Sequence, residues 1–384
     1  MHYDTAIGIP KRRYFNAIDG LRLLASVNVV LFHLEGIGGL YEMGGSPAWF
    51  FRLVKGPAFH ASLFFILGGF IFTNMFAHKM AEFSAWAFLK KRFRELYPLH
   101  LITTLTMAAL YIVRRWGTDG IDVPKIAASL FMHLTFLWSI CPLGTLNLNT
   151  PSWALSAMFL CYLFFGPALK WSLTLKNRAA VMGWMAIFFI PLIAWGLFYG
   201  LLGSPPKLYQ FFHAFAPVRF FEFGLGILLA RFFMLRDENK RSGRFLAIRG
   251  DAIVLLLLYL LYMNLSSYVR SGLVATWISY HALMIPLYLA AIYTMAIEKG
   301  VFARIMSLKV IQKLGRTSFY PYLIHIPLMS VITLFCERVL HYKKFLHSPL
   351  NIAVFVTLLY VCSYLYVYAV RNKRRERKAK LNVH

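Results

Sequence analysis

The first apolar segment of this 384-residue chain, IDGLRLLASVNVVLFH, carries an arginine and a histidine within its hydrophobic run. Arg22 and His33 are eleven positions apart, which on an α-helix is about three turns, so both side chains point in the same direction. The rise between them is roughly 16 Å, about half the thickness of a bilayer core. Because such groups are costly to bury in lipid, this pattern indicates a functional site within the membrane.

The composition of the chain is typical of a membrane protein. Hydrophobic residues make up 59% of the sequence and charged residues only 15%, which is too little charge for the surface of a soluble protein. The formal net charge of +26 would indicate nucleic acid binding in a soluble protein. Here the positive-inside rule accounts for the cations, so we expect no nucleic acid partner.

The four cysteines show no close pairing, and we expect neither a disulfide framework nor a metal site.

Apolar segments of near-bilayer length recur along the chain and predict an all-α, polytopic bundle of transmembrane helices. The eleven segments lie at residues 18–36, 58–77, 97–113, 126–140, 152–169, 179–202, 214–235, 251–268, 273–297, 318–336 and 350–370. The fourth is the shortest and runs into the loop CPLGTLNLNTPS, so we expect a re-entrant or interfacial helix there. We expect the other ten to span the membrane.

The positions of the charged residues favour ten spans over eleven. With ten, most cation clusters fall on one side, which the positive-inside rule makes cytoplasmic. With eleven, the opening KRR and the terminal RNKRRERKAK lie on opposite faces. We therefore expect a cytoplasmic N-terminal segment at 1–17, a membrane domain at 18–370 and a basic cytoplasmic tail at 371–384 that contacts water or lipid headgroups. The sequence leaves the oligomeric state open.

Arg22 and His33 are the first candidates for chemistry. A neutral imidazole in a partly dry site can take a proton from a hydroxyl, and an arginine suits a phosphate, a carboxylate or a developing oxyanion. In the alternative, structural interpretation, Arg22 extends to the lipid headgroups and His33 forms a hydrogen bond with a neighbouring helix.

A second group of cations precedes the third apolar segment, in LKKRFRELYP. Lys91, Arg92 and Arg94 are typical of a positive-inside flank. They would also form a cytoplasmic cradle for an anion with several phosphates, because an arginine fork binds phosphate better than a lysine point charge does.

Later segments place polar and aromatic residues inside apolar runs. TPSWALSAMFLCY carries Trp153 and Ser156, which also fit an interfacial aromatic belt with a small-residue helix contact. LGRTSFYPYLIHIPL carries Tyr322 and His325, and the histidine is either functional or a satisfied core residue. Glu222, beside an arginine in RFFEFGLGILLAR, is expected to form a structural ion pair.

Together these segments resemble acyltransferase family 3, polytopic membrane O-acyltransferases that modify bacterial surface sugars and other acceptors. The resemblance covers about residues 14–370, with the motifs in the family's order. IDGLRLLASVNVVLFH is similar to its opening arginine–histidine signature, FFILGGFIF to its second-helix motif and KRFRELYP to its basic motif. WALSAMFLCY is similar to its tryptophan–serine segment and LGRTSFYPYLIH to its tyrosine–histidine segment. The chain departs from the family pattern at Gly68, where a serine is usual, and at Met158, where a glutamate is common.

The resemblance implies a stand-alone family member, without a fused esterase-like domain, in the bacterial cytoplasmic (inner) membrane. It implies acyl-CoA, above all acetyl-CoA, as co-substrate rather than a permanently bound cofactor, and a hydroxyl acceptor such as a sugar of a surface or exported glycan. On this basis we expect His33 to act as general base and Arg22 to position the donor or the oxyanion. The expected phosphate-binding residues are Lys91, Arg92 and Arg94. The expected residues of the acceptor or acyl pocket are Asp19, Trp153, Ser156, Tyr322 and His325.

A proton-coupled transporter or flippase of a lipid-linked or glycan substrate is the alternative, because intramembrane Arg, His and Glu also mark transport paths. Against it, the sequence shows no inverted repeat and no matching pair of Gly/Pro-broken helices in its two halves.

The topology generates a first prediction. A reporter fused after Lys380 should be active in the cytoplasm, because ten spans return the chain to the side where it starts. Paired fusions to green fluorescent protein and alkaline phosphatase test this. A fluorescent first fusion and an inactive second one are expected, and the opposite pattern would refute the ten-span arrangement.

Overall fold

The computed structural model describes residues 14–38, 60–116, 120–141, 148–203, 208–236, 244–263, 284–342 and 348–381, with short pieces at 3–4, 9–10, 205 and 346. Within these residues the chain is helical apart from loops and a two-residue antiparallel ladder between β1 (Tyr3–Asp4) and β2 (Ile9–Pro10). The prediction of an all-α bundle is confirmed.

The helices of the first half are α1 (Asn16–Gly38), α2 (His60–Phe76), α3 (Ala85–Arg115), α4 (Val123–Leu134), α5 (Ser152–Thr174), α6 (Arg178–Leu201) and α7 (Tyr209–Ala214). Those of the second half are α8 (Ala216–Met234), α9 (Arg244–Met263), α10 (Ile285–Ile297), α11 (Val301–Met306), α12 (Lys309–Thr317), α13 (Phe319–Arg338) and α14 (Pro349–Leu381). A 3₁₀ helix, Ala77–Glu82, follows α2.

Eight of the predicted spans correspond to helical stretches long and apolar enough to cross a bilayer. These are Asn16–Leu34, Ala61–Glu82, Ala85–Arg115, Ser152–Thr174, Arg178–Leu201, Phe211–Met234, Phe319–Arg338 and Leu350–Ala369. The other two predicted spans, 251–268 and 273–297, lie partly outside the described residues, and their described parts belong to α9 and α10.

The fourth apolar segment, for which we expect a re-entrant or interfacial helix, contains most of α4, a helix of 12 residues. Its length is about 18 Å, well short of the roughly 30 Å of a hydrocarbon core. The helix starts where the sequence places a cap and a proline, because Asp122 accepts a hydrogen bond from the backbone of Lys125 at 2.9 Å and Pro124 occupies the first turn.

Two contacts show that α1 and α13 run in the same direction. The Ser26 hydroxyl donates to the carbonyl of Ser318 at 2.8 Å, and His33 meets His325 at 3.1 Å. Both pairs are separated by 292 residues, and a constant offset requires parallel helices. In the ten-span arrangement these helices are the first and ninth spans, which are parallel. In an eleven-span arrangement they would be the first and tenth, which are antiparallel.

Helix α14 returns along the same pair of helices in the opposite direction. Tyr360 donates to the Ser26 hydroxyl at 2.7 Å. Earlier in α14, Ile352 and Phe355 belong to the same apolar cluster as Leu34, which lies later in α1 than Ser26. The two helices are therefore antiparallel. The first turn of α1 and the later turns of α14 therefore lie at the same end of the bundle.

A close helix crossing joins α2 and α8 through two glycines. A Cβ at Gly69 would overlap the carbonyl of Phe223, and one at Gly226 would overlap the carbonyl of Ile66. Small residues let membrane helices pack backbone to backbone, where van der Waals contact replaces the hydrophobic driving force of water. This crossing fixes α2, which forms one wall of the candidate site.

Replacing Gly226 with alanine should destabilise the protein, because the new methyl group meets the backbone of α2. Overpacking of this kind costs about 1–3 kcal/mol. The matched control is Gly183→Ala in α6, where a Cβ meets open space and helix propensity favours alanine. Thermal unfolding of the detergent-solubilised variants should show a lower melting temperature for Gly226→Ala and an unchanged or higher one for Gly183→Ala. Equal melting temperatures would contradict the close crossing.

Candidate functional site

A cavity of about 380 Å³ lies among α1, α2, α3, α5, α12, α13 and α14. Its cationic end carries Arg22, Arg92 and Arg316, with Glu95 beside them. Its remaining wall is largely apolar and aromatic, and includes Phe64, Phe65, Gly68, Phe72, Leu155, Met158 and Tyr322. The cavity therefore suits a ligand with an anionic part and a less polar part.

Asp19 organises the cationic end without lining the cavity itself. It is 6% exposed, and its carboxylate accepts hydrogen bonds from the Tyr14 hydroxyl and, at 3.0 Å, from Arg316 Nε. Arg22 approaches the same carboxylate at 3.7 Å. Asp19 thus joins α1 to α12 and orients two of the three arginines.

Tyr14 completes this cluster as a hydrogen-bond donor. Burial, followed by the hydrogen bond to Asp19, raises the pKa of Tyr14 to about 12. The phenol therefore stays protonated at neutral pH and donates to the carboxylate. The Arg316 guanidinium lies over the Tyr14 ring at 4.9 Å and donates to its hydroxyl at 2.6 Å.

Arg92 is held in the cavity wall by an ion pair and by aromatic rings. It donates to Glu95 at 2.8 Å, and its guanidinium lies 4.8 Å from the centre of the Phe72 ring. Its predicted companions, Lys91 and Arg94, are exposed and are not among the residues that line the cavity. Residues two apart on a helix point about 200° apart, so Arg92 and Arg94 face different directions.

The two departures from the family pattern contact each other in the cavity wall. A Cβ at Gly68 would lie 3.4 Å from the sulfur of Met158 and 3.3 Å from the Phe223 ring. Both residues line the cavity. Where the family pattern has two polar side chains, this chain has an apolar section of wall.

The end of the cavity at Tyr322, here called the inner end, lies close to the two histidines. Tyr322 lines the cavity, and its ring centre is 6.3 Å from that of His325. His325 Nε2 is 3.1 Å from His33 Nδ1, and the ring centres of the pair are 5.0 Å apart. The structure thus brings His33 next to His325, and Arg22 lies on the same helix towards the cationic end. Neither histidine is among the residues that line the cavity.

Trp153 belongs to a buried polar cluster beside the cavity. Its ring lies 5.3 Å from the guanidinium of Arg219 and packs edge-on against His213 at 4.8 Å. Arg219 forms the expected ion pair with Glu222 at 2.5 Å, and both are fully buried. Ser62 donates to the same carboxylate at 2.7 Å.

Ser156 lies on the first turns of α5 and is 1% exposed. Its hydroxyl has no hydrogen-bond partner among the described residues. Its neighbours Leu155 and Met158 line the cavity, whereas Ser156 and Trp153 do not. The start of this helix is nevertheless close to the inner end, because the Tyr322 hydroxyl donates to the carbonyl of Pro151 at 3.1 Å.

Sequence reasoning missed two features of the site. Arg316 stands at the head of LGRTSFYPYLIH but looks like one more cation of a cytoplasmic loop. A buried network also fixes the start of α5: His100 meets the carbonyl of His133 at 2.9 Å, and His133 meets the Ser152 hydroxyl at 3.1 Å. No local pattern identifies the network, because its members lie on three separate helices.

The fold and the site together define a multi-pass membrane protein with a cationic cavity and, next to Tyr322 in its wall, a pair of neighbouring histidines. Residues 15–368 match the profile of the acyltransferase domain of acyltransferase family 3. Because this match covers nearly the whole chain, the protein belongs to that family, as the resemblance predicted.

Two relatives are similar to parts of the chain. The chain is 27% identical over 226 residues to "Acyltransferase MdmB" of Streptomyces mycarofaciens, a match that covers 56% of each protein. The chain therefore spans little more than half the length of that relative. It is 31% identical over 155 residues to "Protein 2 in picA locus" of Rhizobium radiobacter, which covers 37% of this chain and 75% of that protein. No solved structure matches the chain.

Proposed function

We propose that the enzyme transfers an acyl group, acetyl in the simplest case, from cytoplasmic acyl-CoA to a hydroxyl of a sugar in a surface or exported glycan. The proposed location is the bacterial cytoplasmic membrane, with both termini in the cytoplasm. The observation that carries the proposal is the cavity. Its three arginines suit the phosphates of CoA. Its apolar wall, which extends towards His33, suits the pantetheine arm.

The donor binds with its phosphates at the cationic end. Arg22, Arg92 and Arg316 supply guanidinium groups from three different helices, so several phosphate oxygens are contacted from different sides. Arg94 and Lys91, which lie on the exposed faces of α3, add positive charge that attracts the anionic donor from the cytoplasm.

The acyl carbonyl then lies near Tyr322, within reach of the histidine pair. His33 removes the proton of the acceptor hydroxyl as its oxygen attacks the thioester carbon. The tetrahedral intermediate collapses, the C–S bond breaks, and the proton passes from His33 to the CoA sulfur. The products are an ester and free CoA, and no resident cofactor is needed.

Parallel helices α1 and α13 make this arrangement possible across the membrane. Arg22 lies about 16 Å along α1 from His33, so one helix serves both the phosphate end and the reacting end. His325 and Tyr322 border the acyl group on α13. Trp153 and Ser156, at the start of α5 behind Tyr322, form the wall on the acceptor side.

Replacing His33 with alanine should reduce acyl transfer by about 10²-fold or more, since a positioned general base contributes 10²–10⁴-fold. The measurement is the acyl content of surface glycans, by mass spectrometry, in a deletion strain that carries the variant at normal membrane level. The exposed His341→Ala is the control and should leave transfer unchanged. Full activity of His33→Ala would show that another group is the base.

Replacing Arg316 with alanine should raise the apparent KM for acyl-CoA by about tenfold or more, because a hydrogen bond to a charged group contributes about 1.5–3 kcal/mol. The kcat at saturating donor should change much less. Steady-state kinetics in membrane vesicles measure both constants. Lys313→Ala removes the same charge from an exposed position of α12 and should leave KM near the wild-type value. An equal rise in both variants would mean that general surface charge, rather than this cavity, binds the donor.

A further inference from the structure

The contact between His33 and His325 fixes which ring nitrogens carry protons. Two imidazole nitrogens 3.1 Å apart form a hydrogen bond only if one of them carries the hydrogen and the other offers a lone pair. The remaining partners of the two rings decide which nitrogen has which role.

His325 is the simpler ring to assign. Its Nδ1 lies 3.1 Å from the carbonyl of Pro321, one turn earlier on α13. A carbonyl oxygen accepts hydrogen bonds and does not donate them, so Nδ1 of His325 carries the hydrogen. In the neutral ring, Nε2 is then left with a lone pair that points at His33.

The assignment of His33 follows from that of its partner. Its Nδ1 lies 3.0 Å from the carbonyl of Val29 and 3.1 Å from Nε2 of His325. Both neighbours are acceptors, so Nδ1 of His33 carries the hydrogen and shares it between them. The lone pair of the neutral ring is therefore on Nε2, which makes no hydrogen bond to any described residue.

We propose that His325 is a positioning residue that holds His33 in the tautomer with a free Nε2, so that Nε2 is the atom that takes the acceptor proton. This rests on the proposed role of His33 as base. Once His33 is protonated, the same bond from Nδ1 becomes charge-assisted and stronger, which stabilises the imidazolium during transfer. Without His325, the backbone of Val29 alone would orient the ring.

Two substitutions at position 325 separate this role from simple packing. The amide of glutamine reaches about as far from the backbone as Nε2 of histidine, whereas that of asparagine reaches only as far as Nδ1. His325→Gln therefore keeps an acceptor for His33, and His325→Asn keeps only the bond towards Pro321.

The expected result is a difference between the two variants in kcat. His325→Asn should lower kcat by about 10–100-fold with the KM for acyl-CoA unchanged, the range typical when the hydrogen-bond partner that orients a metal-binding histidine is replaced. His325→Gln should stay within about threefold of wild type if an amide oxygen replaces Nε2 as acceptor. Ser330→Ala, a buried polar position five residues further along α13, controls for disturbance of the helix and should keep wild-type kcat.

Other outcomes overturn the proposal. Equal losses in His325→Gln and His325→Asn, with lower melting temperatures in both, would reduce His325 to a packing residue. Wild-type kcat in both variants would show that Val29 alone fixes the tautomer. If these results occur while His33→Ala is inactive, the positioning role fails and the proposed function stands. If His33→Ala is active, the base assignment fails and the role of His325 fails with it.

Discussion

The parallel pairing of α1 with α13 is the contact on which the rest of the structure depends. In a bilayer, polar groups must find their partners within the protein, because lipid offers none. Ser26, His33 and their partners on α13 satisfy one another at two levels about 10 Å apart, and the bonds exist only with the two helices parallel and in this register. These bonds fix the relative direction of α1 and α13, their register and the position of His33. The cavity lies alongside these two helices.

Two carboxylates, one of them buried, offset the positive charge at the cavity. Three arginines in a partly enclosed space repel one another, and Asp19 offsets this by binding Arg316 and approaching Arg22. Glu95 does the same for Arg92. Each of these arginines has more hydrogen-bond donors than its carboxylate partner occupies, so the site remains an attractive place for phosphate oxygens.

Helical periodicity was enough to predict a large part of this arrangement. Long apolar runs identified the spanning helices, and spacing of eleven residues placed Arg22 and His33 on one stripe of α1. The pairing of His33 with His325 was beyond sequence reasoning, because 292 residues separate them and no local pattern encodes their contact. Arg316 could not be singled out from the sequence, because the positive-inside rule accounts equally well for all the cations around it. The same periodicity, applied to α3, would have separated Arg92 from Arg94. The contact of Gly68 with Met158 required the packing of α2 against α5.

The central claim is that the cavity guides one acyl donor from the cationic end to the histidine pair. A structure of the enzyme in a lipid nanodisc, with an acetyl-CoA analogue whose thioester sulfur is replaced by methylene, tests this most directly. The account predicts phosphates in contact with Arg22, Arg92 and Arg316, and the acyl carbonyl past Tyr322 beside Nε2 of His33. Phosphates bound away from these arginines, or an acyl group that points away from the histidines, would contradict it.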